Sequence, residues 1–216
     1  MYDKTIYIVG DSTVEDGRAP FFGWGGQLAR LLPDSIRVVN GAKSGRSSKS
    51  FRDEGLFDPI CREIRARDLL LIQFGHNDEK DDAARHTDPD DTFPESLSLY
   101  MDAAESAGAT PVLITSVSRC FFTDDGSLMY THGEYPRAVR ELARLRGAPL
   151  IDLHAATRAL LIRLGAEESK SLFVNVEPGE YPELPDGWHD KTHFNMHGAQ
   201  TVAELAASAL RDLKLI

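Results

Sequence analysis

Short runs of uninterrupted apolar residues alternate along this chain with longer stretches of helical spacing. Thr5-Ile6-Tyr7-Ile8-Val9 stops at Gly10 and predicts a first buried strand. Ile36 to Val39, Leu69 to Phe74, Pro111 to Val117 and the weaker Leu150 to Leu153 predict four more. From Gly25 to Leu32 a helix is expected, with Leu28, Leu31 and Leu32 on one side and Pro33 as the stop. Others are expected near residues 58–66, 93–107, 136–146 and 154–164. Asn195 opens a last helix, with Val202, Leu205, Ala206, Ala209, Leu210 and Leu213 at three- and four-residue spacing. Strands that show no polar alternation are covered on both faces, which means a parallel sheet. Right-handed crossovers then make a doubly wound, flavodoxin-like α/β sandwich of about five strands the economical topology. With no internal repeat and no dividing linker, a single domain over residues 1–216 is expected.

Composition agrees with one sizeable core: 42% of residues are hydrophobic and 27% charged, which excludes a disordered chain. The net charge of −10 disfavours a nucleic-acid backbone as partner. No apolar run approaches the roughly 20 residues that cross a membrane. Cys61 and Cys120 make neither a disulfide framework nor a Cys-rich zinc site and read as core residues. Met1-Tyr2-Asp3-Lys4 leads straight into the first strand without an apolar signal segment, so a cytoplasmic location is expected.

Charge is unevenly placed. Residues 78–91 hold seven acids against Lys80 and Arg85, and residues 174–190 hold five acids and no base. The second stretch also contains Pro178, Pro182 and Pro185, and reads as a long functional or mobile loop. Residues 41–52 carry Lys43, Arg46, Lys49 and Arg52 with no acid.

In parallel sheets ligands gather outside the carboxyl ends of the strands. Gly10-Asp11-Ser12-Thr13 ends the first strand, where Ser12 suits a nucleophile but equally a helix cap. Asp190-Lys191-Thr192-His193 has the spacing that lets a carboxylate meet a ring nitrogen, although Asp190 could equally cap a turn beside a surface His193. Gly45 follows the second strand and Asn77 the third. A glycine N–H and an Asn amide can serve an oxyanion without adding charge, while a plain turn and an Asx-turn explain each of them singly. No Gly-x-Ser-x-Gly string is present, which counts against the nucleophile-elbow hydrolases.

Taken in order, Gly-Asp-Ser, the Gly-rich loop, Gly-x-Asn-Asp and Asp-x-x-His resemble the four signature blocks of the SGNH (GDSL-like) hydrolase superfamily, from residue 9 to about 198. The resemblance implies a three-layer α/β/α sandwich and a serine esterase without a cofactor. By the same resemblance Ser12 is the nucleophile and Asp190 and His193 the acid and base, while Ser12, Gly45 and Asn77 form the oxyanion hole. Thr13, Gly23-Trp24-Gly25, Ser44-Gly45-Arg46-Ser47 and Phe74-Gly75-His76-Asn77-Asp78 look like the rhamnogalacturonan acetylesterase branch. That likeness implies removal of O-acetyl groups from pectin-derived carbohydrate, and the missing signal segment favours imported oligosaccharides over the polymer.

Three substrate contacts are expected. Arg46 follows the oxyanion glycine and can grip a uronate carboxylate, and Trp188 and Trp24 can stack on sugar rings. Phe21 and Phe22 read as core. Two other classes stay open beside a general SGNH carboxylesterase. His189, His193 and His197 are spaced by four and on one helix would share a zinc-binding face, but Thr192 to Asn195 reads as a helix start and no His-Glu-x-x-His string is present. A non-catalytic flavodoxin-like binding module is the other, although Gly23-x-Gly25 lacks the third glycine of a dinucleotide fingerprint.

Overall fold

The computed structural model describes residues 2–216. Its centre is a parallel sheet of β1 (Lys4–Gly10), β2 (Ile36–Asn40), β3 (Leu69–Gln73), β4 (Thr110–Ile114) and β5 (Leu150–Ile151), in the order β2-β1-β3-β4-β5. Side chains alternate across each strand, and both faces are apolar. Ile6 and Ile8 of β1 join Leu69 and Leu71 of β3 and Val112 and Ile114 of β4 on one face. Tyr7, Val9, Leu70, Ile72 and Leu113 point to the other. Each such side chain taken from water contributes about 1.5–3 kcal/mol, so a one-residue register slip within this sheet would be costly.

Helices cover both faces. Residues from α1 (Gly25–Leu28), α6 (Leu153–Ser169) and α7 (Met196–Asp212) pack on the first. Residues from α2 (Ser48–Asp53), α3 (Asp58–Glu63), α4 (Thr92–Ser106) and α5 (Tyr135–Arg146) pack on the second. The result is the doubly wound sandwich expected from the apolar runs, in the three layers that the resemblance implied. In α4 the buried Phe93, Leu97, Tyr100, Met101 and Ala104 recur at helical spacing. The pattern expected to end at residue 164 does break there: Gly165 leaves helical geometry, and one further turn follows it within α6. Among the described residues no helix is long and apolar enough to cross a membrane.

Residues 174–190 depart from the expected loop. Their two ends belong to an antiparallel pair, β6 (Phe173–Val176) and β7 (Trp188–Phe194). Val174 and Val176 are buried, and this anchors the first strand despite the prolines that follow it. From Phe173 to Asn175 the chain takes two steps, while the paired stretch from Phe194 to His189 takes five. The three extra residues bulge out of β7 between His189 and Phe194.

Asn195 then caps α7, its Oδ1 accepting from Gly198 N–H at 3.0 Å. Gly198 is required by close approach, because a Cβ there would lie 1.9 Å from the Leu172 carbonyl oxygen. Cys120 is buried as expected, whereas Cys61 is exposed, on the outer side of the short α3.

Candidate active site

β1 ends at Gly10, and the chain turns at once. Val14 and Glu15 N–H both donate to the Asp11 carbonyl, at 3.1 and 3.0 Å. Asp11 is fully buried, and its Oδ1 accepts from Thr13 N–H at 2.9 Å and from Thr13 Oγ1 at 2.8 Å. Gln73, at the end of β3, donates to Thr13 Oγ1 and accepts from the Trp24 indole, each at 2.9 Å. This buried chain of bonds holds the turn that presents Ser12. It also accounts for Trp24, which is 0% exposed and is a core residue, not a sugar-stacking one.

Ser12 meets His193 across 181 residues of sequence, with Oγ and Nε2 3.0 Å apart. The other ring nitrogen, Nδ1, lies 2.8 Å from Asp190 Oδ2. Asp190 and His193 come together in the bulge of β7, not on a helical turn. There Asp190 Oδ1 accepts from Thr192 N–H at 2.6 Å and His193 N–H at 2.8 Å, closing the segment on itself. Trp188 Nε1 donates to Asp190 Oδ2 at 3.0 Å. Burial pushes the Asp190 carboxyl up, but the bonds from the His193 ring, Trp188 and the His193 backbone outweigh it and hold the group well below the ordinary carboxylate range.

The loop after β2 is tied to the serine turn by Asn40, whose amide donates to Val14 O at 2.8 Å and Asp16 Oδ1 at 2.7 Å. Gly45 has φ +77°, a conformation that L side chains rarely adopt. Asn77, after β3, donates to the Arg46 carbonyl at 3.1 Å and so joins the Gly45 loop to its own. Asp78 binds the two loops more firmly, since its Oδ1 accepts from Ser48 N–H at 3.0 Å and Ser48 Oγ at 2.5 Å, and from Thr87 Oγ1 at 3.1 Å. Burial raises the Asp78 carboxyl to about 7 and the Asp11 carboxyl to about 6, against the hydrogen bonds each accepts.

Ser12 and His193 lie where two cavities meet. A cleft of ≈ 910 Å³ opens over the β1 and β2 loops, with Phe21, Phe22, Trp188 and Asp190 in its wall. Trp188 is thus at the site, 47% exposed. Phe21 and Phe22 are half-buried in the cleft wall, Phe22 also packing against the core, and the Phe21 ring stands edge-on to His193 at 5.9 Å. A recess of ≈ 410 Å³ opens over the β3 and β4 loops and is lined in part by His76, Asn77 and Arg119.

Arg46 lines neither cavity. Its Nε and one Nη donate to Glu54 Oε2 at 2.9 and 2.8 Å, and its other Nη to Ser44 O at 2.9 Å, so the guanidinium is turned away and already satisfied. Lys43 is paired with Glu15 at 2.9 Å, and Lys49 and Arg52 bond to Ala83 O and Ser96 Oγ. The acid-free basic run therefore finds its partners elsewhere in the chain. His189 and His193 lie on β7 and His197 on α7, so the three histidines share no helical face.

Besides Ser12, Asn77 and His193, the recess is walled by His76 and Arg119, to which the sequence assigns no role. His76 lies in the Phe74–Asp78 segment after β3 and Arg119 in the loop after β4, both beyond the carboxyl ends of strands where ligands gather.

Residues 8–201 match the sequence model of the GDSL-like lipase/acylhydrolase family. The rhamnogalacturonan acetylesterase RhgT of Bacillus subtilis (strain 168) is 45% identical over 213 residues, covering 97% of this chain and 90% of that protein. The probable rhamnogalacturonan acetylesterase YesY of the same organism is 35% identical, covering 97% and 94%. The crystal structure of YxiM from Bacillus subtilis superposes with a TM-score of 0.83 at 26% identity, over 98% of this chain and 57% of that one.

Proposed function

This chain belongs to the GDSL-like lipase/acylhydrolase family, in the branch that holds the rhamnogalacturonan acetylesterases, and from that premise we propose that it is a serine esterase removing O-acetyl groups from carbohydrate. Acetylated pectin-derived oligosaccharides of the rhamnogalacturonan type are its substrates in this reading. The observation that carries it is the relay of 3.0 and 2.8 Å from Ser12 through His193 to Asp190.

Ser12 Oγ attacks the acetyl carbonyl carbon while His193 Nε2 takes the hydroxyl proton, a transfer open only to the neutral imidazole. Asp190 holds the Nδ1–H tautomer and stabilises the imidazolium that forms. Negative charge on the carbonyl oxygen is met by the N–H groups of Ser12 and Gly45 and by the Asn77 amide. The C–O bond to the sugar breaks, the sugar oxygen receives the proton from His193, and acetyl-Ser12 remains. Water, deprotonated by His193, adds to the acetyl group and releases acetate with Ser12 restored. Phe21, Phe22 and Trp188 give the cleft an aromatic wall suited to the apolar face of a sugar ring.

The test is acetate release from acetylated rhamnogalacturonan oligosaccharides, acetylated xylo-oligosaccharides and 4-nitrophenyl acetate. Fastest release is expected from the first. Ser12→Ala should lower kcat by about 10⁴-fold or more and abolish labelling by a fluorophosphonate. A folded Ser12→Ala protein with near wild-type turnover would end the serine mechanism. Hydrolysis of the aryl acetate alone would reduce the reading to a general carboxylesterase.

A further inference from the structure

Packing does not fix Gly45 in its loop. A Cβ there would meet nothing within 4 Å, and the last backbone bond from this loop to the sheet is that of Lys43 N–H to the Gly10 carbonyl, at 2.9 Å. From Ser44 to Arg46 the loop is anchored to the rest of the molecule by side chains.

Glu15, in the turn that presents Ser12, accepts from Ser44 N–H through Oε2 and pairs with Lys43 through Oε1, each at 2.9 Å. Its own backbone is set by that turn, N–H donating to the Asp11 carbonyl at 3.0 Å and C=O accepting from Gly23 N–H at 2.9 Å. Arg46 donates from one Nη to the Ser44 carbonyl at 2.9 Å. Its Nε and other Nη stay on Glu54 Oε2 at 2.9 and 2.8 Å, so the guanidinium is itself anchored. The Arg46 carbonyl accepts from the Asn77 amide at 3.1 Å.

Ser44 therefore has both its N–H and its C=O held by side chains. The peptide that follows it is trans and planar, so the Ser44 carbonyl and the Gly45 N–H share one rigid plane and point in opposite directions. Holding the first aims the second. The guanidinium lines neither cavity, and the Gly45 N–H faces away from it. Neither that N–H nor the Ser12 N–H donates to any group among the described residues, which leaves both open to an oxyanion. A partly exposed ion pair such as Arg46 with Glu54 adds little to stability. What it does fix is the direction of one peptide beside the nucleophile.

We propose that Arg46 and Glu15 are positioning residues of the oxyanion hole, which together clamp Ser44 and preset the Gly45 N–H for the carbonyl oxygen of the ester. The assignment rests on the esterase reading, in which Gly45 is an oxyanion donor. Arg46 then acts on the reaction through a peptide of its own loop, whatever the charge of the substrate.

Steady-state rates on acetylated rhamnogalacturonan oligosaccharides and on uncharged 4-nitrophenyl acetate test it. Arg46→Met should lower kcat about 10- to 100-fold on both alike, as for a donor displaced but not removed, with KM changed less than about twofold. Arg46→Lys keeps the charge, but one ammonium cannot serve both Glu54 and the Ser44 carbonyl. It should stay nearer to Arg46→Met than to the wild type. Glu15→Met should lower kcat about tenfold, and Glu15→Gln, which still accepts from Ser44 N–H, should restore most of it. Circular dichroism and urea unfolding check the fold of each variant, and should Arg46→Met fail to fold, Arg46→Lys and the Glu15 pair carry the test. Wild-type kcat in folded Arg46→Met, full activity in Arg46→Lys, a loss confined to the oligosaccharide, or a change in KM alone overturns the assignment. Hydrogen exchange at the Ser44 amide, read by NMR, needs no turnover. It should quicken in Glu15→Met and not in Glu15→Gln, and equal rates in both variants and the wild type overturn the clamp. Retained turnover in Ser12→Ala would instead overturn the esterase reading and leave the exchange results as they stand.

Discussion

Asp190 accepts four hydrogen bonds, from Trp188 Nε1, from the backbone of Thr192 and His193, and from the His193 ring. A group held this firmly in its ionised form orients the imidazole without competing for the Ser12 proton. Asp190→Asn keeps the shape but puts an amide opposite His193 Nδ1, favouring the wrong tautomer. We expect kcat to fall by roughly 10⁴ in steady-state assays, with KM little changed. Asn77→Ala should lower kcat by roughly 10²–10³, the usual loss for one oxyanion donor. Because Asn77 also ties down the Arg46 carbonyl, Asn77→Asp, which keeps the shape but adds charge, should fare no better. A change in KM alone would make Asn77 a substrate contact. Trp24, expected at the site, is core, and Phe21, expected in the core, stands in the cleft wall beside Phe22. All three are aromatic and close in sequence, and only the direction of the chain after the serine turn decides which one reaches Gln73.

At the scale of elements, the bulge of β7 and the start of α7 act as one device. The bulge turns Asp190 and His193 toward Ser12, and the cap at Asn195 with the close approach at Gly198 fixes where the bulge sits. Asn195→Ala should cost about 1–2 kcal/mol in urea unfolding, from the lost cap and the lost bonds to the Ser171 and Phe173 carbonyls. Gly198→Ala should cost more, since the obstacle is a backbone oxygen that cannot rotate aside. If Gly198→Ala unfolded at the wild-type urea concentration, the packing of α7 against the Leu172 turn would not be what positions the bulge. β6 and β7 escaped notice in the sequence because Trp188 to His193 shows no alternation: three of its residues are out of register, and the pattern of a strand is lost with them.

Across the whole molecule, the two buried carboxyls at the strand ends set a pH dependence. Asp11 and Asp78 stand at about 6 and about 7 in the fold, raised by burial from 3.8. Between those values and 3.8 the folded chain holds protons that the unfolded chain has lost, so their contribution to stability falls as pH rises through about 6 and 7. Asp190 runs the other way: its depressed folded value contributes stability above the ordinary carboxylate range and loses it on acidification. Asp78→Asn removes one of the raised groups. From about pH 5 to 7, its unfolding free energy should therefore gain on the wild type by about 1.4 kcal/mol per pH unit. Parallel curves for the two proteins would refute the shift at Asp78. By itself the sequence determined the sheet, its helices and the strand ends where Ser12, Gly45 and Asn77 lie, because strands buried on both faces leave continuous apolar runs and their carboxyl ends are where a parallel sheet opens. Only the tertiary structure decided that His193 reaches Ser12 from a bulged strand, that Arg46 belongs to Glu54 and that Trp24 is buried behind the serine turn. Each of these depends on which groups meet across distant segments, and a charge or an aromatic ring carries no mark of its partner until the chain has closed around it.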